Sequence, residues 1–187
     1  MLDRLIRGLG RIAGLMSSEL RKLYIRGAYK VTFGRNVTVE RGVAIRTFDG
    51  GYVVIGEGTH IWPNTIIEAK AAPITIGPRS LINTGVFVAA SFGISIGADA
   101  LVAEYVTIRD ADHAFDDPHA AFNTQGMRGE PIVIGDSVWL AAKVTVTKGV
   151  TIGAGSIVGA NSVVTRSIGP AEIRAGVPAR ILRERAG

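Results

Sequence analysis

The chain has 187 residues, enough for one domain with a sizeable core and too few for two full ones. Hydrophobic residues make up 47% but aromatics only 6%, while glycine contributes 24 residues, so the interior has to be filled by small and β-branched side chains. The lack of cysteine excludes a disulfide scaffold, a thiolate zinc site and a cysteine nucleophile. The formal charge of +5 belongs to residues 1–30, where seven bases face only Asp3 and Glu19; this leaves 14 of 21 bases and 14 of 16 acids for a neutral body, which argues against nucleic acid as a partner.

Leu2, Leu5, Ile6, Leu9, Ile12, Ala13, Leu15, Met16, Leu20 and Leu23 recur at helical spacing between arginines. This pattern predicts an amphipathic helix over residues 2–24, broken near Gly8, Gly10 and Gly14. Two roles fit residues 1–30: a cap over the open end of the fold that follows, or a peripheral contact with an anionic membrane surface. Arg4, Arg7 and Arg11 stand where a signal peptide needs an apolar run, and no stretch approaches the ~18 uninterrupted apolar residues of a membrane span. A cytoplasmic location is therefore expected, with contact at the inner face of the membrane as its variant.

From residue 31 the chain repeats with a period of six. Aliphatic positions come in triplets: Phe33, Val39, Ile45; Ile55, Ile61, Ile67; Ile76, Ile82, Val88; Ile96, Val102, Ile108; Ile134, Leu140, Val146; Ile152, Val158, Val164. Three hexads make one triangular coil, so residues 31–168 are expected to form an all-β, parallel β-helix of six coils. Each short strand would pair with its equivalent about 4.8 Å along the axis. The first residue of every triplet precedes a glycine that would permit a tight corner. The breaks in register all fall after the third hexad, so the extra residues should gather at one corner of the triangle. The longest excursion, residues 109–131, holds Asp110, Asp112, His113, Asp116, Asp117, His119 and Glu130. Loops collected on a rigid scaffold are where sites are built. Beyond Gly169-Pro170 a short C-terminal tail is expected over residues 169–187, turning at Gly176-Val177-Pro178.

The imidazole of His113 opens the long excursion and suits a general base near neutral pH, as removal of a hydroxyl proton during acyl transfer requires. Asp110, Asp112, Asp116 or Asp117 could fix its tautomer as the acid of a triad does; spacing does not choose among them. With no cysteine and no serine in a strained elbow, direct attack in a ternary complex is simpler than a covalent acyl-enzyme.

Residues 76–185 resemble the galactoside, maltose and polysaccharide O-acetyltransferases of the hexapeptide superfamily, and most of all the exopolysaccharide and capsule branch. The resemblance rests on Asp112-His113, a loop, Ile134-Gly135-Asp136-Ser137-Val138-Trp139, then Leu140-Ala141, Gly149-Val150-Thr151-Ile152-Gly153, Gly159-Ala160 and Gly176-Val177-Pro178-Ala179 in that order. It implies a left-handed helix, a homotrimer with active sites in the grooves between subunits, acetyl-coenzyme A as acyl donor, no metal, and a saccharide acceptor in surface-polysaccharide biosynthesis. It places His113 on the catalytic base and Asn83, Asp112 and Trp139 beside the acceptor. It places Ala141, Ala142, Ala160, Thr165, Arg166, Gly176, Pro178, Arg180 and Arg183 on the coenzyme, where the arginines would meet phosphates. Three positions depart from the pattern: Ala142 replaces a hydroxyl found in some members, Arg166-Ser167 the usual Lys-Asp, and Ser91 an acidic residue that contacts the acceptor in the galactoside enzymes. Two other chemistries use this fold: N-acetylation of an amino sugar, and a carbonic-anhydrase-like hydratase with three histidines on zinc, for which His60, His113 and His119 are the whole supply.

Overall fold

The computed structural model describes residues 17–185, so residues 2–16 of the helix expected over residues 2–24, with its glycine breaks, lie outside the described residues. From Val31, strands of two to four residues alternate with turns and wind into a left-handed parallel β-helix of six coils. Each coil gives one strand to each of three parallel sheets. Phe33, Ile55, Ile76, Ile96, Ile134 and Ile152 stack on the first face. Val39, Ile61, Ile82, Val102, Leu140 and Val158 stack on the second. Ile45, Ile67, Val88, Ile108, Val146 and Val164 stack on the third. All of them are buried, so the six-residue period writes the core directly. A single coil could not bury this face alone; the stack does.

The glycines after the first-face residues have a different role from the one the sequence suggests. None of Gly34, Gly56, Gly77, Gly97, Gly135 and Gly153 has a positive φ; the left-handed residue of this corner comes two positions later, at Asn36, Gly58, Arg79, Asp99, Ser137 and Gly155. What the glycines permit is close approach of successive coils. A Cβ on Gly77 would lie 2.4 Å from the carbonyl carbon of Gly97 and 2.5 Å from the Ala98 nitrogen. Gly77→Ala is therefore expected to destabilise the protein by about 1–3 kcal/mol in urea unfolding, as overpacking does. Gly27→Ala, whose Cβ would meet nothing within 4 Å, is the control and should be neutral or slightly stabilising. An unchanged midpoint for Gly77→Ala would mean that the coils can spread at no cost.

The insertions lie at the third corner, between third-face and first-face strands, as residues 48–52, 70–73, 91–93 and 110–131. The other two corners stay tight. On the first, Arg79 donates to both carboxylate oxygens of Asp99 at 2.7 and 2.6 Å, and these hydrogen bonds hold the Asp99 carboxyl below its usual range.

Both ends are closed. A helix, α1 (Ser18–Ala28), lies under the first coil, its N-terminus capped by Ser17. Arg21 Nε, Lys22 Nζ and Arg26 Nη2 donate to the carbonyls of Val39, Val37 and Phe33 at 2.7, 2.8 and 3.1 Å, on the open edge of the first coil. Covering a sheet edge in this way blocks pairing with another chain. The segment from Gly169, which reads as a tail, is ordered as a hairpin. Glu172–Gly176 extends the second sheet in parallel with Ile157–Val158, the chain turns through a cis Val177-Pro178 peptide, and Ala179–Glu184 returns antiparallel. Arg185 then donates to the Gly155 carbonyl at 2.9 Å.

Candidate active site

His113 is carried by an antiparallel hairpin at the neck of the long excursion, in which Ala111 faces Gly129, Asp112 faces Arg128 and His113 faces Met127. The side chain is exposed, and among the described residues no hydrogen bond or ion pair engages its ring. The ring is thus presented to solvent from a rigid two-stranded support.

Each of the four carboxylates offered by the sequence as its partner is committed elsewhere. Asp110 is fully buried, and its carboxylate accepts from three successive amides of the coil below: Ser91 at 2.8 and 3.0 Å, Phe92 at 2.7 Å and Gly93 at 2.6 Å. Its own carbonyl accepts from Glu130 N at 3.0 Å, so one residue ties both arms of the neck to the turn beneath. Asp112 pairs with Lys148 on the third corner of the fifth coil. Asp116 pairs with Arg128, Nη1 to Oδ1 at 2.9 Å, and Asp117 accepts from His119 N at 2.8 Å within the loop. Gln125 closes the tip by donating to the carbonyls of Asp117 and Ala120, both at 3.0 Å.

The remaining candidate residues fall on two different edges of the prism. Asn83, Ala103, Ala141 and Gly159 form one vertical column at the second corner, each donating its amide to the next coil at 2.8–2.9 Å. Thr84, Glu104, Ala142 and Ala160 run beside it. Trp139, exposed between Leu101 and Ile157 on the second face, flanks the column two residues before Ala141. Gly176 reaches the same edge, where its amide donates to Ser162 Oγ at 2.9 Å, with Pro178 following in the hairpin turn. The result is a ridge that narrows from Asn83 to alanine and glycine, topped by the hairpin bearing Arg180 and Arg183.

Asp112, His113, Thr165 and Arg166 lie instead on the third corner. The width of the third face, spanned by the strands Phe87–Ala90 and Thr107–Arg109, separates them from Asn83 and the alanine column. One chain therefore does not bring His113 to the second-corner residues. Arg166 and Arg183 make no hydrogen bond or ion pair among the described residues, and Arg180 makes only a 3.5 Å contact with the carbonyl of Ala179. By contrast Arg174 is paired with Glu172. Three guanidinium groups with no acidic partner suit phosphate binding.

Two features escape a reading by periodicity alone. Lys148 latches the hairpin through Asp112, and Asp110 anchors it. The second leaves a trace in the sequence: Ile108 points in and Arg109 out, so Asp110 falls on an inward position, where a carboxylate must be hydrogen-bonded. The three histidines lie apart. His60 is on the second face of the second coil, stacked on Trp62 with ring centroids 4.8 Å apart and Nε2 3.3 Å from Glu40, and His119 is at the loop tip. Among the described residues no three potential ligands converge.

Residues 131–166 match the family model for the bacterial transferase hexapeptide (six repeats). Over 168 residues the chain is 32% identical to WbbJ of Escherichia coli strain K12, a protein named for O-acetyl transfer in lipopolysaccharide biosynthesis; the match covers 86% of this chain and 75% of that protein. It is 32% identical over 134 residues to the galactoside O-acetyltransferase of the same organism, covering 71% of this chain and 64% of that protein. A Mycobacterium tuberculosis protein named as an acetyltransferase is 31% identical over 150 residues, 80% of this chain and half of that protein. The chain thus spans half to two thirds of the length of these last two relatives. Among solved structures, the hexapeptide-repeat acetyltransferase VCA0836 of Vibrio cholerae, complexed with acetyl-coenzyme A, superposes with a TM-score of 0.63 at 27% identity, covering 94% of this chain and 82% of that one. The N-acyltransferase AntD of Bacillus cereus, complexed with dTDP and coenzyme A, has the same fold, with a TM-score of 0.75 at 23% identity over 88% of this chain and 89% of that one.

Proposed function

Because the chain belongs to the bacterial hexapeptide-repeat acetyltransferases, we propose that it transfers an acetyl group from acetyl-coenzyme A to a sugar hydroxyl in surface-polysaccharide biosynthesis, with His113 as general base. The observation that carries this reading is the presentation of His113: an exposed imidazole on a braced hairpin. The second-corner ridge offers a complementary surface. It is floored by Ala141, Ala142, Gly159 and Ala160, which leave room for a slender arm, and it ends at Arg180 and Arg183.

The donor supplies an activated thioester carbonyl. His113 accepts the proton of the attacking hydroxyl as the new ester bond forms and the carbon–sulfur bond breaks, then returns that proton to the departing thiolate. Asn83 and Trp139 hold the acceptor, the amide by hydrogen bonding and the indole by its flat face. Arg166 from the third corner, with Arg180 and Arg183, neutralises the phosphates of the donor.

Since His113 and the ridge occupy different corners of one chain, the site is assembled between copies, in a homotrimer whose grooves pair the third corner of one subunit with the second of its neighbour. Mixing tests this. His113→Ala and Ala142→Trp chains should each be nearly inactive alone, the latter because the indole fills the ridge. Chains co-refolded in equal amounts should recover roughly a quarter of the wild-type rate, the share of grooves in which both corners are intact. Failure of the mixture to regain activity would place the whole site within one chain. The reaction itself is read by thiol release over a panel of saccharide acceptors: an acetyl product labile to mild base is an O-ester, and a base-stable amide would replace this reading with N-acetylation.

A further inference from the structure

We propose that the outward face of α1 docks the protein on an anionic lipid surface. The helix is mounted inside out. Its inward residues are Ser18, Arg21, Lys22 and Ile25, of which Lys22 and Ile25 are buried, while Leu20, Leu23 and Tyr24 are exposed by 53%, 67% and 66%. The cause is the open edge of the first coil, which demands hydrogen-bonding partners. Ser18 Oγ accepts from Val39 N at 2.8 Å, and Arg21, Lys22 and Arg26 donate to the edge carbonyls. With its polar side used as a cap, the apolar side is left to face outward. Three large apolar side chains on one exposed helix face are suited to the boundary between headgroups and acyl chains.

The sequence upstream has the composition such a surface favours. Leu2, Leu5, Ile6, Leu9, Ala13 and Met16 give residues 1–16 an apolar content of their own in the sequence. Residues 1–16 also carry Arg4, Arg7 and Arg11 against Asp3 alone. Charge selects the occupant. A second copy of the chain would bring two basic segments together, whereas a bilayer rich in acidic headgroups complements them. No described helix is long and apolar enough to cross a membrane, so the contact is with the surface.

The test is flotation of the full-length protein with phosphatidylcholine vesicles, with and without phosphatidylserine. The wild type should float with the anionic vesicles, less so as salt is raised. The double variant Leu20→Glu, Leu23→Glu should bind at least about tenfold more weakly with an unchanged unfolding midpoint, because both side chains are exposed. Equal flotation of wild type and variant, or equal binding of the wild type to neutral vesicles, would overturn the proposal. Dissociation of a wild-type oligomer by the same double substitution, seen by light scattering, would overturn it in favour of a contact between copies.

Discussion

His113→Ala should lower kcat by about 100-fold or more while leaving the affinity for acetyl-coenzyme A nearly unchanged. The ring makes no hydrogen bond among the described residues and is exposed, so its removal opens no cavity and leaves no buried polar group unpartnered. The hairpin is held by Asp110, by the Asp112–Lys148 pair and by its own ladder, all of which the alanine variant keeps. Loss of activity can then be assigned to the missing base. Single-turnover rates, donor binding by calorimetry and the unfolding midpoint together check this. A variant that turns over at the wild-type rate would remove His113 from the chemistry.

Asp110→Ala is expected to be the most destabilising single change near the site, by about 3 kcal/mol, because three part-buried amides lose a fully buried, charged acceptor together and a hydrogen bond to a charged group contributes roughly 1.5–3 kcal/mol. The damage should be local before it is global. Ser91, Phe92 and Gly93 amides should exchange with solvent faster, and the neck should lose its anchor to the coil below, so turnover falls even under conditions where the coils remain folded. Asp110→Asn keeps one acceptor oxygen but turns an amide group toward donors, so an intermediate loss is expected. Hydrogen exchange at residues 91–93 and urea unfolding measure both variants. If Asp110→Ala unfolds at the wild-type midpoint, the buried carboxylate does not secure the hairpin.

The core was legible because one rule, an inward apolar residue at every sixth position within each coil, governs all three faces from Phe33 to Val164. The collection of insertions at one corner follows from the same count. What the period could not supply were facts that depend on neighbouring coils. The first-corner glycines look like corner residues along the chain, and only stacking shows that Gly77 is needed by Gly97. The carboxylates near His113 look equivalent in sequence, yet Asp110 is claimed by amides nineteen to seventeen residues earlier and Asp112 by a lysine one coil above. The C-terminal segment has no six-residue period, so its hairpin was hidden behind a basic composition. The division of candidate residues between two corners was equally out of reach, since a resemblance aligns positions along a chain without showing which edge each one occupies.

The neck of the long excursion separates two problems that most enzymes must solve together. Beneath it, Thr107 and Ile108 pair with Thr145 and Val146 as if nothing had been inserted between them. Beyond it, Gln125 and the Arg128–Asp116 pair hold the loop to itself. The segment from Ala114 to Gly126 is therefore mechanically separate from the ladder: a change in its length or composition leaves the stacked hydrogen bonds beneath the neck intact.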